Sequence, residues 1–74
     1  MKGTIIEIIS KIINSEEAYL ISHTEEQGLW DSLKLVEIIF ALEDEFDIMF
    51  EESEIAEMKT VAKIFEYVLR KVEE

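Results

Sequence analysis

The 74-residue sequence contains no cysteine and one histidine, which excludes a disulfide framework and zinc sites built on thiolates. Basic residues are scarce too: seven Lys and Arg stand against eighteen Asp and Glu, a formal charge of −11. Such a field repels nucleic acid and attracts a basic protein partner. Neither a signal peptide nor a membrane-spanning run is visible, so a cytoplasmic protein is expected. Nearly half of the residues are apolar, which fits a packed globule rather than a disordered acidic tail. At this length the core belongs to a single domain, residues 1–74, near the lower size limit for folding without a disulfide or metal staple. No volume is left for a deep active site.

In TIIEIISKIIN, residues 4–14, six isoleucines (5, 6, 8, 9, 12 and 13) fall in one arc at helical spacing, with Glu7, Ser10, Lys11 and Asn14 opposite. Thr4 and Glu7 have the spacing of a capping box, so this helix is expected to start at Thr4. Residues 15–31 lack a sustained period and read as a long connection with room for a short helical turn, anchored by Tyr19, Leu20, Ile21, Leu29 and Trp30. A second helix is expected from Ser32 to Phe46, a short one around Ser53 to Glu57, and a last one after Thr60. Thr60 is its N-cap, Val61, Ile64, Phe65, Val68 and Val72 form its apolar stripe, and Lys63, Arg70 and Lys71 favour its C-terminal end. The expected fold is all-α: a small antiparallel helical bundle of three main helices plus one short helix.

The second helix carries two apolar faces. At about 100° per residue, Leu35, Ile38, Ile39, Leu42 and Phe46 form a core stripe. Leu33, Val36 and Phe40 cluster on the far side, flanked by Glu37, Glu43 and Asp44. A second stripe rimmed by acids suits transient docking of a basic partner. A covering by the short helix would instead make it core.

Ser32, at the start of this helix, raises three readings. As a hydrolytic nucleophile with His23 and Asp31 it fails, because the serine is not in a G-x-S-x-G elbow and Asp31 is its immediate neighbour rather than a group behind an imidazole. His23 then reads as an exposed loop residue. The N-cap is the reading of Ser32 that local physics favours, although either Asp31 or Ser32 can cap. As a point of attachment for a phosphate ester it is well placed, since free N–H groups and the helix dipole favour negative charge there. Calcium binding by DEFDIMFEESE fails for want of the glycine turn and alternating oxygen ligands. No residue is read as catalytic or as a metal ligand.

Asp31-Ser32-Leu33, followed by Val36-Glu37, Ala41-Leu42-Glu43, Glu45-Phe46 and Asp47-Ile48, resembles the signature of the acyl carrier protein family, and Lys59-Thr60-Val61 resembles the start of its last helix. The resemblance implies an acyl-carrier-like bundle in which Ser32 receives 4′-phosphopantetheine from coenzyme A through a phosphopantetheinyl transferase. The thiol of that arm then bears acyl or aminoacyl groups as thioesters. It implies a non-catalytic, monomeric carrier served by a loading ligase and by synthase or transferase enzymes of fatty-acid or secondary-metabolite pathways. Asp31, Leu33, Val36, Glu37, Phe40 and Asp44 are the implied partner contacts, and a shelter for the acyl chain would be lined by Ile39, Leu42, Phe46 and Ile64.

Lys34 and Leu35 depart from the fatty-acid type, Lys34 by reversing the local charge, and the loop before Ser32 is shorter. The approach Gly28-Leu29-Trp30 is more similar to stand-alone carriers of specialised pathways, including aminoacyl and D-alanyl carriers. A reading from another class is a small acidic helical adaptor that binds a basic protein and is never modified. Both use the same acidic face and differ at Ser32.

Overall fold

The isoleucine stripe of the first segment forms a helix that begins earlier than its capping signal suggests. In the computed structural model, which describes residues 1–73, α1 runs Lys2–Ile13 with Met1 as its N-cap and no side-chain cap bond. The Ile5 N–H donates to the Met1 carbonyl at 3.1 Å, so Thr4 lies inside the first turn and the expected Thr4–Glu7 box does not start the helix. Burial of Ile5, Ile6 and Ile9, rather than a cap, sets its extent, as is usual where an amphipathic face packs. The helix ends at Asn14 in the left-handed region (φ 56°), a conformation that Asn tolerates better than most residues.

Within the long connection, the short helical turn for which the sequence left room is present as the six-residue helix α2 (Glu17–Ser22). Of the five expected anchors, Leu20 is fully buried and Leu29 and Trp30 pack half-buried against the core. Tyr19 and Ile21 are exposed instead, because a helix this short presents only one residue of its apolar run to the core. The Thr24 carbonyl accepts the Ala62 N–H at 2.9 Å, which pins the loop to the start of the last helix.

The long helix α3 spans Ser32–Phe46, with Ile38, Ile39 and Leu42 buried and Leu35 and Phe46 half-buried against the core. It closes at Asp47 (φ 55°), and the Glu43 carboxylate then accepts the Phe50 N–H at 2.9 Å across the following turn. The short α4 (Glu52–Ile55) is held by a reciprocal box between Glu51 and Glu54. In the last helix, α5 (Val61–Glu73), Thr60 caps through its Oγ1, which accepts the Lys63 N–H at 3.1 Å. Val61, Ile64, Tyr67 and Val68 are its buried face, with Phe65 and Val72 half-buried beside them.

The core therefore lies between α1, α3 and α5, with Leu20 contributed by α2. Two further core residues, Phe50 and Met58, come from the connections on either side of α4. Among the described residues all regular structure is helical, and no helix is long and apolar enough to cross a membrane.

Candidate functional site

The competition between Asp31 and Ser32 for the start of α3 is resolved by geometry. Asp31 is the N-cap: its carboxylate Oδ1 accepts the Lys34 N–H at 2.8 Å, and its carbonyl accepts the Leu35 N–H at 2.9 Å. Ser32 is therefore the first residue within the helix, and it is exposed. Among the described residues its hydroxyl has no hydrogen-bond partner. An exposed, unbonded primary alcohol beside a capped helix end is open to modification by an external enzyme.

Among the described residues no base is hydrogen-bonded to that alcohol. The His23 ring stacks on Tyr19 with centroids 3.9 Å apart, and its Nδ1 lies 2.8 Å from the Tyr19 carbonyl and 2.9 Å from Ser22 Oγ. Because a carbonyl only accepts, Nδ1 carries the proton in that contact. His23 is half-buried and closes α2 rather than being the exposed loop residue that the sequence suggests. The reason is local: one turn of helix brings the Tyr19 carbonyl within reach of the imidazole four residues on.

Beside Ser32 lies a cleft of about 260 Å³ lined by Gln27, Gly28, Trp30, Asp31, Leu35, Met58 and Lys59. Gly28 adopts φ 81°, a left-handed conformation that costs a glycine little and turns the loop towards Trp30. The Lys59 N–H donates to the Glu57 carbonyl at 2.9 Å. With Met58 fully buried before it and the Thr60 cap after it, Lys59 is held at the cleft. The cleft thus combines apolar walls with one acidic and one basic group, next to a free hydroxyl.

Along the outer face of α3, Leu33 is 77%, Val36 46% and Phe40 66% exposed. The α4 segment leaves this stripe uncovered, so these residues do not serve the core. Glu37 and Asp44 are exposed at its rim, whereas Glu43 is half-buried and committed to the Phe50 N–H. Lys34 pairs with Glu37 at 3.3 Å, and such an exposed pair contributes less than about 1 kcal/mol and yields readily to a partner. Asp31, Leu33, Val36, Glu37, Phe40 and Asp44 are all exposed on α3 or its cap. Sequence reasoning missed Met58 and Lys59, which come to Ser32 from a distant connection without helical periodicity.

A family model described as the phosphopantetheine attachment site matches residues 4–68. The chain is 35% identical over 66 residues to an acyl carrier protein of Buchnera aphidicola subsp. Schizaphis graminum (strain Sg), covering 86% of this chain and 84% of that one. It is 45% identical over 38 residues to an acyl carrier protein of Trieres chinensis, covering 51% and 48% respectively.

Proposed function

Because this chain belongs to the phosphopantetheine-attachment family of acyl carrier proteins, we propose that Ser32 is its attachment residue and that it carries acyl or aminoacyl cargo between enzymes. The family's members are non-catalytic carriers, and 4′-phosphopantetheine is their prosthetic group. The observation that carries the assignment to Ser32 is the Asp31 cap, which leaves the neighbouring hydroxyl exposed and unbonded beside an open cleft.

The residues present fit the group. In the attachment reaction Ser32 Oγ bonds to the β-phosphorus of coenzyme A, the phosphoanhydride breaks, and adenosine 3′,5′-bisphosphate leaves. The serine proton passes to a base of the transferase, since His23 is engaged elsewhere. Once attached, the arm supplies a thiol, which this cysteine-free chain lacks, for holding cargo as a thioester.

The chain's own contribution is presentation. Leu33, Val36 and Phe40 offer apolar contact, and Glu37 and Asp44 select basic surfaces on a phosphopantetheinyl transferase, a loading ligase and downstream synthases or transferases. Tethering raises the effective concentration of cargo at each docked active site. Weak, salt-screened contacts allow departure afterwards. The uncovered stripe also suits an unmodified adaptor, which parts from the carrier only at Ser32.

Incubation of the apo-protein with coenzyme A and a broad-specificity phosphopantetheinyl transferase tests the assignment by intact mass. The expected result is addition of one phosphopantetheine, absent in Ser32→Ala. No addition, or addition that survives Ser32→Ala, overturns it.

A further inference from the structure

Seven Lys and Arg residues stand in this chain. Lys11, Lys34, Lys63, Arg70 and Lys71 lie against carboxylates, and Lys2 sits over the Phe65 ring, 5.3 Å from its centroid. Among the described residues, Lys59 alone has neither a carboxylate nor a ring as partner. In a chain with eighteen acids an unpaired ammonium is unusual, and this one lines the cleft that contains Ser32.

The charge at Ser32 makes that position consequential. Asp31 already occupies the α3 terminus with its carboxylate, so an anionic diester on Ser32 meets a like charge beside it. On α3 itself the nearest cation, Lys34, is already paired with Glu37, which leaves an unpaired cation from another element to compensate, and charge-assisted pairing with phosphate oxygens is among the stronger polar contacts. Lys59 is positioned for this by the buried Met58 before it and the Thr60 cap after it. The apolar walls, Trp30, Leu35 and Met58, suit the methylene and gem-dimethyl portions of a pantetheine chain. Gln27 and Lys59 also line a neighbouring groove of mixed polarity, about 520 Å³, bounded by Thr60, Lys63 and Glu66, which offers partners for amides.

Resting on the carrier reading, we infer that this cleft is the docking seat of the arm borne by Ser32. The Lys59 ammonium pairs with the phosphodiester, and the pantetheine chain lies against Trp30 and Leu35. Lys59 is thereby a positioning residue that holds the undocked arm to the domain surface.

Trp30 is the only tryptophan and reports occupancy directly. Apo and holo forms, each verified by intact mass, are compared by acrylamide quenching of Trp30 emission. Attachment is expected to lower quenching, because the arm covers the exposed part of the half-buried Trp30 ring. Holo Lys59→Ala is expected to return to the apo value and holo Lys59→Arg to keep the protection, with apo unfolding curves unchanged because Lys59 is exposed. Complete mass addition with equal quenching in apo and holo wild type overturns the seat and leaves the carrier reading standing. Undiminished protection in holo Lys59→Ala overturns the role of Lys59. Failure of mass addition overturns the carrier reading and this inference together.

Discussion

The Asp31 carboxylate accepts the Lys34 backbone N–H at 2.8 Å, and that bond relieves the adjacent Ser32 hydroxyl of any capping duty. Loss of a side-chain cap costs about 1 kcal/mol. Asp31→Ala is expected to lower stability by about that amount in urea unfolding, whereas Asp31→Asn keeps the acceptor and the stability. If Asp31 also serves recognition, Asp31→Asn slows modification of a fully folded protein, which a modification time course followed by mass reads directly.

Ser32→Ala removes a hydroxyl that bonds to nothing in the described structure. Its effect on stability is expected to stay within about 0.5 kcal/mol, as for surface substitutions generally. Thermal unfolding checks this, and an unchanged curve ensures that a failure of modification in this variant reflects chemistry rather than misfolding.

Phe40 and Leu42 are two residues apart on α3 yet have opposite fates: Phe40 is 66% exposed and Leu42 is fully buried. Leu42→Ala is expected to cost about 2–5 kcal/mol through lost burial and cavity formation. Phe40→Ala should leave unfolding nearly untouched while raising the KM of the transferase for the carrier. For Asp44→Lys the same KM should rise most at low salt and converge on wild type at high salt, where screening shortens the reach of the charge.

Glu54 ties α4 to α5 through an ion pair with Lys71 at 2.9 Å. The Glu54 carboxyl titrates below its ordinary value of 4.5, first because it accepts the Glu51 N–H and then because of Lys71. A carboxylate whose folded pKa is depressed contributes stability above its unfolded pKa and loses it as pH falls through the folded one. Acidification from neutrality to below 4.5 should therefore destabilise wild type more than Glu54→Gln, as measured by urea midpoints across that range. Equal pH dependence in the two proteins would show that the pair contributes nothing to the docking of α4.

Helix α3 was legible in the sequence from end to end, as were its two stripes and the Thr60 cap, because each follows from spacing along one helix or from a single local bond. The outward direction of Leu33, Val36 and Phe40 was legible as well, but only tertiary structure decided that α4 leaves them uncovered. Tertiary packing likewise placed the start of α1 at Lys2, drew Leu20 but not Tyr19 or Ile21 into the core, and folded His23 onto the end of α2. Asp31 and Ser32 offered equivalent capping groups on paper, and the path of the chain into α3 selected Asp31. Periodicity could not bring Met58 and Lys59 to Ser32, since their approach is set by the core that fixes Met58 and by the turn into α5. The sequence determined the helix and its serine, while the assembled bundle determined what stands beside that serine.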